Sequence, residues 1–179
     1  MKLHIIRHAE AVDQTSALSD DYRYLTCRGR TRFRRVADTL KKCGIDPEII
    51  VSSPLVRAVQ TADILAETLR FSGELTILPM LADSFSLPRL KEYLESMTQV
   101  RELVLVGHEP DLGMIVGELL DHSPCILKKG GVVTLKIKIQ HPEIITSFLW
   151  LVTGGGKLIT NHGTALARLT GGHVQPEEA

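Results

Sequence analysis

Arg7 and His8 stand side by side at the end of the apolar run Leu3-His4-Ile5-Ile6, and Ala9-Glu10 follow them. Two later stretches repeat this arrangement of an apolar run ending in polar, reactive residues. One is Ile49-Ile50-Val51-Ser52-Ser53-Pro54, with Arg57 three residues on; the other is Val104-Leu105-Val106-Gly107-His108-Glu109-Pro110. Arginine carries a rigid fork of donors that matches phosphate oxygens. A neutral imidazole can act as a nucleophile or pass a proton. Each residue alone is unremarkable: Arg57 reads equally as an exposed helix arginine and His108 as a turn histidine. Two arginines and two histidines at matching topological positions are a different matter, because together they make a site for phosphoryl chemistry.

The elements that must position them follow from periodicity. Leu3–Ile6 reads as a buried strand ending at Arg7. A polar loop rich in Asp, Ser and Thr runs from Ala11 to Tyr24. Thr26 is a good N-cap for a helix from Cys27 to Lys42, closed by Gly44, with Phe33, Val36, Ala37 and Leu40 on one stripe. Arg28, Arg30, Arg32, Arg34, Arg35, Lys41 and Lys42 occupy its other faces, either as a solvated surface or as a docking face for an acidic or phosphorylated partner. Ile49–Ser52 is a second strand, and Pro54 opens a helix through Leu69. Leu75 to Leu81 predicts a third strand, leading into a polar loop at Asp83–Ser86, and Pro88 starts a short helix with Leu90, Tyr93, Leu94 and Met97 buried. Glu102–Val106 is a further strand, followed by a helix burying Leu112, Ile115, Val116 and Leu119. This alternation predicts an α/β fold, a three-layer α/β/α sandwich around a mostly parallel sheet. The three polar junctions then share one edge of the sheet, where ligands bind in such folds, and helix N-termini there add N–H donors. From residue 125 the rhythm changes: Val132–Ile139 and Ile144–Val152 predict an antiparallel hairpin at the C-terminal edge, with Lys136 and Lys138 guarding it. From Thr153 the chain is rich in Gly, Thr and His and shows little periodicity. The expected organisation is one catalytic domain over residues 1–170 and a poorly ordered tail over 171–179.

Composition narrows the function classes. The chain has 179 residues, enough for one large core, and a formal net charge of zero, so nothing global favours nucleic acid or membrane partners. No apolar run approaches the length of a membrane span and no signal peptide is evident. Three widely spaced cysteines, Cys27, Cys43 and Cys125, suit a reducing cytoplasm and offer no metal-ligand spacing. His4 falls inside a strand and reads as structural, and His122, His141, His162 and His173 have no ligating pattern.

Taken in order, Arg7-His8, Leu25-Thr26 with Gly29, Ser52-Ser53-Pro54 with Arg57, Gln60, Thr61 and Ala62, and Gly107-His108 resemble the signature of the histidine phosphatase (phosphoglycerate-mutase-like) superfamily. The segments Val104–Leu112 and Lys128–Val133 resemble its short SixA-type branch, the phosphohistidine phosphatases, and the chain lacks the large insertions of the mutases. The resemblance implies that His8 takes the phosphoryl group, that Arg7 and Arg57 hold its oxygens, and that His108 stabilises it from the other side. It implies a phosphorylated protein substrate, such as a histidine phosphotransfer domain, and neither cofactor nor metal, since arginines serve where Mg²⁺ does elsewhere. Ala9 departs from the glycine usual at that position, which matters only where the backbone needs a positive φ or a close approach.

A phosphomonoesterase needs an acid for its poor alkoxide leaving group. Asp83 is the candidate general acid, and Glu10 and Glu109 flank the site, but none lies in a matching motif. Phosphohistidine releases an imidazole, which needs little help, so the missing acid favours that substrate. The alternatives are a small-molecule phosphomonoester phosphatase or mutase and a non-catalytic module that binds phosphorylated partners.

Overall fold

A computed structural model describes residues 1–122, 124–140 and 143–171. Its centre is a seven-stranded mixed sheet: β1 (Lys2–Arg7), β2 (Ile49–Ser52), β3 (Glu74–Ile77), β4 (Glu102–Gly107), β5 (Val132–Gln140), β6 (Glu143–Val152) and β7 (Leu158–Ile159), in the order β3-β2-β4-β1-β5-β6-β7. The first four strands are mutually parallel, and β5, β6 and β7 add antiparallel pairings. Helices cover both faces. The helices α1 (Cys27–Lys42) and α2 (Val56–Leu69) pack on one side. On the other lie α3 (Leu87–Ser96), α4 (Asp111–Leu119) and α5 (His162–Leu169). Alternation along β1 shows how the sheet serves two cores: Leu3 and Ile5 face one cluster and Ile6 the other.

Register places the polar junctions together. β4 lies between β1 and β2, pairing Gly107 with Arg7 and Val106 with Ser52. Beyond the ladders, His8 N–H donates to Gly107 O (3.0 Å) and Ser53 N–H to Val106 O (2.9 Å). The three strand exits are therefore stitched side by side at one sheet edge.

Four details differ from the sequence reading. α2 starts at Val56, because Pro54 and Leu55 form the turn that leaves β2. β3 stops at Ile77, and Pro79–Leu81 makes a single 3₁₀ turn, since Pro79 has no N–H for a ladder. Lys136 and Lys138 sit on β5, which is flanked by β1 and β6, so the lysines lie on an interior strand of the hairpin region. Beyond Thr153 the chain folds into β7 and α5, the helix capped by Asn161 Oδ1 accepting the Thr164 N–H (2.8 Å). Of the tail expected after residue 170, residues 172–179 lie outside the described residues.

Candidate active site

The site is assembled by backbone geometry before side chains contribute. Gly130, at φ +71°, sends its N–H to both Arg7 O (3.1 Å) and His8 O (3.0 Å), a left-handed turn that fastens the segment before β5 to the exit of β1. Ala9 N–H donates to Thr61 Oγ1 (3.0 Å), and Thr61 Oγ1 donates to Arg57 O (2.6 Å), joining that exit to the first turns of α2. Gln60 Oε1 accepts the Leu25 N–H (2.8 Å). Thr26 caps α1 by accepting the Gly29 N–H (2.8 Å), and Gly29 packs so closely on the Glu10 carbonyl that a β-carbon would overlap it. The motif residues Thr26, Gly29, Gln60 and Thr61 thus hold the loops that carry Arg7, His8 and Arg57.

His8 is 6% exposed, and its Nδ1–H donates to the Ala9 carbonyl (2.7 Å). A carbonyl only accepts, so the ring proton is on Nδ1 and Nε2 carries the lone pair. Burial holds the imidazole down to about 3, with His108, Arg57 and Arg7 adding to the effect against the Ala9 hydrogen bond. His108 lies with its ring centroid 5.1 Å from that of His8. Its Nε2 is 2.8 Å from Ser53 Oγ, a hydroxyl that also accepts the Leu55 N–H. Ser53 is fully buried, and when its hydroxyl gives its hydrogen to Nε2 the His108 proton sits on Nδ1. Burial, then Arg57 and Arg7, bring His108 to about 4 against the opposing pull of Asp20. Both rings are neutral at pH 7.

The arginines are held from behind. Arg7 Nη1 donates to Leu127 O (2.7 Å), and burial lowers its pKa against the favourable charge of Glu109. Arg57, 6% exposed, donates from Nη1 to Asp20 O (2.6 Å) and from Nη2 to Asp20 Oδ2 (2.8 Å). Asp20 lies in a 3₁₀ turn, Asp20–Tyr22, in the loop after β1. Burial tends to raise its carboxyl, but hydrogen bonds from Arg23 and Arg57 outweigh this and hold it ionised. Among the described residues, four buried side-chain polar atoms have no hydrogen-bond partner, and three belong here: Arg7 Nε, Arg57 Nε and His108 Nδ1. Buried donors are rarely left unpaired. Three such atoms around the His8 ring have the chemistry to take the oxygens of a tetrahedral anion.

The structure therefore brings Arg7, His8, Arg57 and His108 together. Asp83 is exposed on the loop after the 3₁₀ turn, where its carboxylate accepts from Ser84 Oγ (3.2 Å). Glu10 lies 3.7 Å from Arg32 and 3.9 Å from Arg28. Glu109 is half-buried and burial raises its carboxyl, but its oxygens accept the Leu127 and Gly113 N–H groups. It holds the N–H of Leu127, the residue whose carbonyl Arg7 grips. Sequence reasoning missed Asp20, because the polar loop also offers Asp13 and Asp21 and no periodicity ranks them. His4 is structural as read: buried, with Nδ1 2.8 Å from Thr134 Oγ1 and Nε2 3.0 Å from Glu102 Oε1. Among the described residues, no cluster of His, Cys, Asp or Glu could hold a metal ion, and no helix is long and apolar enough to cross a membrane.

Comparison with known proteins identifies the family. Residues 3–86 match the histidine phosphatase superfamily (branch 1). An uncharacterized protein of Picosynechococcus sp. is 36% identical over 167 residues, spanning 85% of this chain and 99% of that protein. The phosphohistidine phosphatase SixA of Escherichia coli is 31% identical over 121 residues, 66% of this chain and 74% of its own length. The structure of the protein histidine phosphatase SixA complexed with tungstate superposes with a TM-score of 0.76 at 24% identity, covering 86% of this chain and 97% of that one, so the fold is shared. Sequence match and fold agree: this chain is a phosphatase belonging to branch 1 of the histidine phosphatase superfamily.

Proposed function

We propose that residues 1–170 form a phosphohistidine phosphatase domain acting on a phosphorylated protein. One observation carries the reading: the His8 tautomer, locked by the Ala9 carbonyl, leaves the Nε2 lone pair uncommitted beside the unpaired donors of Arg7, Arg57 and His108. In the first step His8 Nε2 forms a bond to phosphorus as the bond from phosphorus to the substrate imidazole breaks, and the departing nitrogen takes a proton from water. Arg7, Arg57 and His108 bear the charge of the three equatorial oxygens, the main demand of phosphoryl transfer. In the second step water attacks phosphorus, the bond to His8 breaks, and inorganic phosphate leaves. A neutral His8 is required throughout, and burial supplies it.

The carboxylates support an imidazole leaving group. Asp20 is held ionised by two arginines, Glu109 is engaged by backbone N–H groups, and Asp83 is exposed on its loop. Glu10 is shared by Arg28 and Arg32, so each of these carboxylates already has a partner other than a leaving group. The SixA relative, named for the same activity, points the same way.

His8→Ala should lower turnover of a phosphohistidine protein by about 10³-fold or more. Label from the phosphorylated substrate should be trapped on wild-type enzyme in acid-labile, base-stable form. Near-full activity in the variant overturns the nucleophile. Rates on phosphohistidine protein, sugar phosphates and phosphoglycerate, measured side by side, decide the substrate. Faster turnover of the monoesters, lost in Asp83→Asn together with an acidic ionisation, would establish the small-molecule reading with Asp83 as general acid.

A further inference from the structure

Beside the phosphoryl cradle, and sharing Arg7 with it, lies a cleft of about 540 Å³ that the transfer chemistry does not use. Its floor is aliphatic: Leu127, Leu151 and Leu169 are buried, and Ile126 is 51% exposed at the entrance. Its rim is cationic, with Arg32 from α1, Lys128 and Lys129 from the turn before β5, and Arg168 from α5. Among the described residues the lining holds a single carboxylate, Glu10, which is shared between Arg28 and Arg32. In a chain of zero net formal charge this is a local concentration of one sign.

The cleft is rigidly coupled to the cradle. Lys128 and Gly131 close a turn (Gly131 N–H to Lys128 O, 2.7 Å), and the same turn receives the Arg7 N–H at Gly131 O (3.1 Å). On the far wall, Ile126 N–H donates to Leu169 O (2.7 Å), tying α5 to this segment.

We infer that this cleft is a specificity subsite for the protein substrate, receiving an acidic segment next to the phosphorylated residue with one of its aliphatic side chains against Ile126 and Leu127. The inference rests on the phosphoprotein reading of the cradle and goes beyond it by naming what flanks the phosphoryl group. The cleft's own chemistry selects this occupant. A small polyanion would engage the cations and leave the apolar floor of Leu127, Leu151 and Leu169 uncovered. An acidic segment bearing an aliphatic residue satisfies both parts, and flexible lysines suit steering of carboxylates.

The test uses two phosphohistidine peptides that differ only in Asp/Glu or Gln flanks, with phosphoimidazole as a carrier-free control. Wild-type enzyme should favour the acidic peptide through KM, and about 0.5 M salt should erase the preference. Lys128→Glu combined with Lys129→Glu, and separately Arg168→Glu, should raise KM for the acidic peptide about 10-fold, equivalent to one rim charge pair or more. The kcat, and turnover of phosphoimidazole, should stay as in wild type. The Gln versions of these variants should give intermediate KM values. Equal rates on both peptides with wild type, or equal losses on phosphoimidazole, would overturn the subsite. Fluorescence anisotropy of an unphosphorylated acidic peptide reads the cleft without turnover. Binding that weakens in the charge-reversed variants supports the subsite even where phosphohistidine is not hydrolysed, so failure of the functional reading stays distinct from failure of this one. Displacement of the peptide by a small bisphosphate at lower concentration than by unlabelled peptide would assign the cleft to a small polyanion instead.

Discussion

Asp20 is the residue on which Arg57 depends. The guanidinium spends Nη1 on the Asp20 carbonyl and Nη2 on its carboxylate, leaving Nε for another oxygen. The carboxylate is also an anion near a site for anions, so two effects compete. Its side chain is 42% exposed, which screens its repulsion of a phosphoryl group, while the 2.8 Å bond fixes a nearly buried arginine. Positioning wins in this balance. Asp20→Asn should therefore lower kcat about 10-fold, the cost of about 1.4 kcal/mol of lost orientation, and change KM less than about 3-fold. A KM effect with unchanged kcat would mean that Asp20 acts on binding alone. Ala9 is explained at the same scale. Among the described non-glycine residues only Arg70, Ser84 and Asp121 have positive φ, so the Ala9 methyl meets no backbone strain. It is buried with the cluster under α1 and α2 while its N–H and carbonyl serve Thr61 and His8.

At the scale of elements, α1 secures the loop that leaves β1 through its N-terminal turn. Thr26 both caps the helix and sends its N–H to Glu10 O (3.0 Å), and Gly29 lets the helix sit against that carbonyl. Thr26→Ala should cost about 1 kcal/mol through the lost cap. Gly29→Ala should cost about 1–3 kcal/mol, because the overlap is with backbone that cannot rotate away, and should lower activity further by displacing the Arg7–Glu10 segment. Chemical denaturation of the two variants, with activity assayed in parallel, checks both the order and the extra catalytic loss in Gly29→Ala. The same contrast explains what was legible in the sequence. The stripe of Phe33, Val36, Ala37 and Leu40 and the caps of α1 are local signals, as are the apolar runs of β1, β2 and β4, so the three strand exits and their Arg and His residues could be placed from the chain alone. α5 could not: only Ala165 and Leu169 of its eight residues are buried, too few to mark a period. Nor could the Asp20–Arg57 pair or the basic cleft, whose parts lie far apart in the chain and meet only through the sheet order.

For the whole molecule, packing a buried His8 and a half-buried His108, both neutral, against two arginines ties stability to pH. His8 at about 3 and His108 at about 4 in the folded protein compare with 6.5 for a free imidazole. Above 6.5 neither state binds the protons and the histidines contribute no pH dependence. Below 6.5 the unfolded chain takes them up and the folded chain does not, so the unfolded state gains and stability falls as pH falls. The loss continues down to about 4 for His108 and about 3 for His8, at up to about 1.4 kcal/mol per group per pH unit. Glu102 adds to it further down. Its carboxyl, which burial tends to raise, is held at about 2 chiefly by the hydrogen bond from His4, with Asp46 N–H and Lys2 assisting. Its stabilisation is complete above the ordinary carboxyl range near 4.5 and is lost as pH falls toward 2. Thermal midpoints should therefore decline steadily from pH 6.5 to 4.5, before most carboxylates titrate. Replacing both histidines, as His8→Asn with His108→Asn, should flatten that limb while leaving the steeper fall below pH 4.5 in place. An unchanged slope between pH 6.5 and 4.5 in the double variant would show that the acid sensitivity arises elsewhere. Activity should fail in acid along the unfolding curve and not with an ionisation near 6.5, because His8 keeps its lone pair for as long as the fold keeps water from it.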